Sequence, residues 1–100
     1  MKLGILVNSN RYLTTITGIV GVAAARGNQV TLFAMDEGTR LLEDADYVAL
    51  ADLEGVSMSY CEHSAVELSV NTRGLSDAIE SSSQYSNAAM NHDADKVLVL

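Results

Sequence analysis

Residues 56–70, VSMSYCEHSAVELSV, change their periodicity at the chain's single cysteine. Before it, Val56, Met58 and Tyr60 alternate with Ser57, Ser59 and Cys61, the period-two pattern of a strand with one apolar face. After it, Ser64 and Glu67 stand at the S-x-x-E spacing of a capping box, which predicts a helix from about Ala65. A strand that ends on a thiol and hands over to a helix is one β–α unit. The flanking sequence repeats that arrangement.

Upstream, the apolar run Leu3 to Val7 ends in NSN and reads as a strand buried on both faces. Leu13, Ile16, Val20 and Ala23 then recur at helical spacing, with Arg26 in the last turn and Gly27 past it, so a helix is expected over about Tyr12 to Arg26. Val30 to Met35 is the next β-branched and aromatic run. Gly38 to Leu53 reads as one or two short helices with Leu41, Leu42, Tyr47, Val48, Ala51 and Leu53 on the apolar face. Downstream, a short strand is expected near Ala78 to Glu80. A second capping-box spacing, Ser81 and Gln84, introduces a helix over about Ser82 to Asn91, and KVLVL closes the chain as another strand buried on both faces.

Strands alternating with helices imply right-handed crossovers and a mostly parallel sheet of about five strands between two helix layers, a small three-layer α/β domain. The 100 residues fit one domain, and there is no linker-like or repetitive segment. In such sheets ligands gather at the carboxyl ends of the strands. Three stretches share that edge: Asn8 to Arg11, Asp36 to Gly38, and Cys61 to Ser64.

Six Lys and Arg against thirteen Asp and Glu give a net charge of −7, which repels phosphate backbones and argues against nucleic acid. No apolar run approaches the roughly 18 residues of a membrane span, and MKLGILVNSN lacks a signal h-region, so a cytoplasmic chain is expected. One cysteine excludes an internal disulfide and points to a reduced thiol.

Cys61 is therefore either a small buried hydrophobe or a nucleophile. Its place ahead of a helix N-terminus favours the thiolate, His63 follows two residues on, and Arg11 offers positive charge at the same edge. Glu62 has the opposite effect, and a helix that starts only after Ser64 would dilute the dipole.

KLGILVNSN, QVTLFAMDEGTRLL, LADLEGVSMSYCEHSAVELSV and NAAMNHDADKVLVL resemble, in order and spacing, the DsrE/DsrF-like proteins, a group that includes TusD-type sulfur-relay subunits. The likeness runs over nearly the whole chain. It implies a flavodoxin-like fold and a homo-oligomer, commonly a trimer or hexamer, or a hetero-oligomer. It also implies that Cys61 carries sulfur as a persulfide between donor and acceptor proteins. His63, Ser64, Arg11 and Asn8, on the same strand-end edge, are the supporting candidates, and no cofactor is expected. Some relatives lack the cysteine and serve as structural subunits. Glu62 and His63 depart from the small or apolar residues expected after the thiol.

Three rival readings stand beside this one. A metal site would draw on Cys61, His63 and His92, but His92 at the far end of its helix falls about 15 Å from the strand-end crevice, which leaves Cys-x-His plus a carboxylate across an interface. A nucleotide site has only the fold class behind it, because NSNRYLTT after the first strand lacks both glycine-rich phosphate loops. Asp36 and Glu37 read as solvated carboxylates. A non-catalytic interaction subunit is the third reading, since a small domain this rich in Val, Leu and Ala has apolar surface for neighbours to cover.

Overall fold

A computed structural model describes every residue from Met1 to Leu100. Five strands form one all-parallel sheet in the order β4-β3-β2-β1-β5: β1 Lys2–Val7, β2 Gln29–Ala34, β3 Val56–Cys61, β4 Ile79–Ser82 and β5 Lys96–Val99. Helix α1 spans Leu13–Ala25 and ends where Arg26 and Gly27, at φ +80°, turn the chain back. The first three crossovers step in one direction along the sheet and the fourth steps back past all of them. Right-handed connections therefore lay α1, the helical stretch 36–52 and α3 (Glu62–Glu67) on one face and α4 (Gln84–Asp93) alone on the other. This is a three-layer α/β sandwich of the flavodoxin-like type.

The two layers differ in depth. On the three-helix face Ile5, Val7, Val30, Leu32, Met58 and Tyr60 from the sheet meet Ile16, Val20, Leu41, Leu42, Tyr47 and Ala65 in one buried cluster. On the other face Phe33, Cys61 and Met90 make a small one, flanked by Leu6, Met35 and Val97. Gly4 lets α4 approach: a Cβ there would stand 3.0 Å from Met90 Cγ and 3.2 Å from Ala94 Cβ. Gly38 is tighter still, because a Cβ would come within 1.9 Å of the Val7 carbonyl oxygen, so the chain leaving β2 can cross the end of β1 only with glycine at that point.

Several sequence expectations need correction. The stretch after β2 is a 3₁₀ helix over Asp36–Glu43, a single α-turn α2 over Ala45–Val48 and a 3₁₀ turn over Ala49–Asp52. Packing of Leu41, Leu42, Tyr47 and Leu50 holds it, rather than a regular helical stripe, and Leu53 is exposed. Helix α3 begins at Glu62 with Cys61 as its N-cap residue and covers Glu62–Glu67, so the Ser64–Glu67 capping box does not form. Ser64 is instead buried against the layer below. The helix is stopped by Ser69 in the left-handed region at φ +56°. β4 starts at Ile79, and α4, Gln84–Asp93, is capped by Ser83, whose hydroxyl accepts from the Tyr85 amide at 3.3 Å, not by Ser81. β5 is not buried on both faces: it is an edge strand with Leu98 and Val99 exposed. No helix is long and apolar enough to cross a membrane.

Candidate functional site

Strand order determines where a crevice opens. β3 sends its chain up into α3 on one face, whereas its neighbour β4 sends its chain down into α4 on the other, so the sheet edge parts between their carboxyl ends. That is the topological switch point, where α/β sheets bind ligands. Cys61 is the last residue of β3 and is paired with Ser82, the last of β4. A recess of about 640 Å³ opens beside them, with Met35 and Asp36 from the end of β2, His63 from α3 and Gln84 and Tyr85 from α4 in its wall.

Cys61 lies in the wall of this recess and is 5% exposed, its flank packed on Phe33 and Met90. As N-cap of α3 it occupies the position from which Ser or Asp side chains accept the free amides of a first helical turn, and here no side chain takes them. Those amides are the natural donors for a charged sulfur. The helix has six residues, so its dipole adds little beyond them.

The other candidates divide into two groups. His63 and Ser64 line the same recess as Cys61. The His63 side chain is 87% exposed, with Nε2 3.3 Å from Glu67 Oε2. Ser64 is buried within α3. Asn8 and Arg11 line a separate recess with Tyr12, Glu37 and Val99. Two strand spacings lie between the ends of β1 and β3, about 10 Å. Arg40 pairs with Glu37. Neither Lys nor Arg stands in the wall around Cys61, while Asp36 and Glu62 do.

The sequence places Asp36 on this edge, though only as a solvated carboxylate, and does not point to Ser82, Gln84 and Tyr85, which close the recess. Asp36 holds a left-handed backbone at φ +48°, a conformation that Asp and Asn tolerate better than other side chains. Gln84 reaches across to Met35, with Nε2 3.7 Å from Sδ, and the Ser82 hydroxyl is paired with that of Ser86. Tyr85 is 81% exposed at the rim. The signal that was available was the turn from Met35 into Asp36-Glu37-Gly38, where an acidic residue ahead of a glycine marks a strained corner. No three His, Cys, Asp or Glu side chains converge as a metal site, and His92 sits in the last turn of α4, remote from the end that meets Cys61.

Neither a family model nor a curated protein matches the sequence. Two solved structures share the fold over its full length. The ychN protein from E. coli superposes with a TM-score of 0.71 at 16% identity, covering 99% of this chain and 97% of that one. MTH1491 from Methanobacterium thermoautotrophicum, described as a protein of unknown function, gives 0.73 at 13%, covering 99% and 98%. Likeness at such identity establishes the common fold.

Proposed function

We propose that this chain is a sulfur-relay protein of the DsrE/DsrF-like kind, which takes up sulfur as a persulfide on Cys61 and passes it to an acceptor thiol. One observation carries the reading: the only thiol in the chain stands at the topological switch point, as N-cap of a helix whose first-turn amides have no side-chain acceptor. The full-length likeness in fold to the ychN protein is consistent with it.

The transfer is balanced without an oxidant. The Cys61 thiolate attacks the outer sulfur of a donor persulfide, the donor's S–S bond breaks, and the donor leaves as a thiolate. An acceptor thiolate then attacks the outer sulfur on Cys61, forms its own persulfide and restores the Cys61 thiolate. The α3 amides stabilise whichever anion is present on Cys61. His63, exposed at the rim, and Ser64, buried in the wall, shape the approach to the sulfur. Asn8 and Arg11, one recess away, contact the donor or acceptor protein rather than the sulfur. A trimer, a hexamer or a hetero-oligomer is the assembly expected to do this work.

A second reading has its own support. The 5% exposure of Cys61 and the carboxylates of Asp36 and Glu62 beside it suit a non-catalytic subunit in which the thiol only packs. Incubation with a small-molecule persulfide followed by intact mass separates the two. The relay reading expects a gain of about 32 Da, one sulfur, that is absent from Cys61→Ser. It also expects native Cys61 to react with iodoacetamide at a rate within about tenfold of the unfolded chain. No mass gain, with alkylation only after unfolding, gives the packing role.

A further inference from the structure

The two edges of the sheet are built differently. β4 presents Glu80, Ser81 and Ser82, with Asp77 just ahead of it, so charge and hydroxyls blunt that edge. β5 presents Lys96-Val97-Leu98-Val99, with Val99 59% and Leu98 37% exposed and no acidic residue within the strand. An apolar open edge is what folded proteins ordinarily cover.

The hydrogen bonds show which groups on β5 are free. The Leu100 amide donates to the Leu6 carbonyl at 2.9 Å, and the Leu100 carbonyl accepts from the Asn8 amide at 2.9 Å, so Leu100 turns its backbone toward β1. By alternation Leu98, in register with Ile5, does the same, and the backbone groups of Val97 and Val99 point outward.

Read in either direction, Val97-Leu98-Val99 is the same. Laid antiparallel on itself about Leu98, it pairs the outward groups of Val97 with those of Val99 from the other copy, in both directions. The two Leu98 residues then face each other as a close non-hydrogen-bonded pair. Each Lys96 meets Leu100 rather than the other Lys96. The two Asp95 carboxylates end up about 20 Å apart, six residues of strand, beyond the roughly 8–10 Å reach of charges in physiological salt. In a chain of net charge −7, this edge lets two copies approach without placing acid against acid.

We propose that β5 is a self-association edge, through which two copies of this chain join their sheets by antiparallel β5–β5 pairing around a two-fold axis at Leu98. The contact makes a dimer, or links trimers into a hexamer, and it is incompatible with a lone trimer. It stands or falls independently of the reading of Cys61, which lies three strands away.

Two experiments test it. Sedimentation velocity from micromolar to millimolar concentration should show a concentration-dependent two-fold assembly, and Val99→Lys, which places a charge opposite Val97, should raise its dissociation constant by about tenfold or more. Far-UV circular dichroism checks that the variant is folded. In a Cys61→Ser background, Leu98→Cys puts two thiols on Cα positions about 4.5 Å apart across the axis, within disulfide range. Mild oxidation should then give a covalent dimer, whereas Ser81→Cys on the opposite edge, in the same background, should give none. A wild-type chain that is monomeric throughout, an assembly that Val99→Lys leaves intact, or equal cross-linking at both edges would each overturn the proposal.

Discussion

The two faces of this sheet are drawn from alternate residues of the same strands, yet one gathers a cluster of fifteen buried residues and the other a cluster of three. The topology explains the inequality, since three connections pass over one face and only α4 covers the other. Strand β3 records the difference residue by residue. Val56, Met58 and Tyr60 face the deep layer, while Ser57 and Ser59 face the shallow one, in a groove of about 300 Å³ left between the sheet and α4 and lined also by Thr31, Glu80, Ser86 and Met90. Cys61 ends the polar row and is buried in the small cluster with Phe33 and Met90. The deep face fixes the fold, and the shallow face leaves room for chemistry.

Truncating one side chain on each face is the strongest test of that division. Leu32→Ala opens a sealed void among the deep cluster and should lower unfolding free energy by about 4 kcal/mol. Met90→Ala widens a groove already open beside it, so the loss is mainly one of transfer, about 2 kcal/mol. Urea unfolding of both variants gives the two figures. Equal losses would mean that the shallow face is as tightly sealed as the deep one, and the contrast would be lost.

Strands β1, β2 and β3 and helix α1 were legible to within about a residue at each end, because a continuous apolar run, a period of two and a period near 3.6 each have one structural solution. The sheet's parallel character followed from their alternation. What failed was whatever depended on neighbours. The run KVLVL looks the same on an edge as in a sheet centre, so the exposure of Leu98 and Val99 was hidden. The spacing of Ser64 and Glu67 matched a capping box, but the need to turn the small residues Ser64 and Ala65 inward moved the helix start back to Glu62. Strand order was the largest gap: β4 has only Ile79 as an apolar anchor, and without its place the parting of the chain beside Cys61 cannot be inferred. Asn8 and Arg11 were assigned to the edge that Cys61 shares, correctly, but the sequence does not say that β2 stands between them.

Tyr47 sharpens the contrast from within the deep layer. It is fully buried, and its hydroxyl has no hydrogen-bond partner. Burial pushes the phenol well above the ordinary tyrosine range, because the interior disfavours the charged form. The unfolded chain releases this proton near pH 10 and the native chain keeps it, so the native state binds more protons there and stability falls as pH rises. The contribution is complete below about pH 10 and declines above it by up to about 1.4 kcal/mol per pH unit. Tyr47→Phe removes an unpaired polar atom without opening a void, so at neutral pH it should be neutral or stabilising by about 1 kcal/mol. Above pH 10 it should lose stability less steeply than the wild type. Thermal melts between pH 7 and 11 measure both effects: parallel curves for the two proteins would show that the native phenol ionises as readily as the unfolded one, and a loss of stability at neutral pH would show that the hydroxyl has a partner.

Asp36 tests the shallow side with the smallest expected effect. It stands in the wall of the Cys61 recess and holds φ +48°, which Asn tolerates as well as Asp. Asp36→Asn therefore keeps the corner and removes one of the two carboxylates beside the thiol. Like charges at the mouth lower the local concentration of an anionic reagent, so Cys61 of the variant should react with 5,5′-dithiobis(2-nitrobenzoate) a few-fold faster at low salt, with the difference shrinking as salt is added. Reaction with neutral iodoacetamide should change little. The ratio of the two rates isolates the field from access: an equal acceleration of both reagents would mean that the substitution had opened the recess, and no change in either would place the Asp36 carboxylate away from the path to the sulfur.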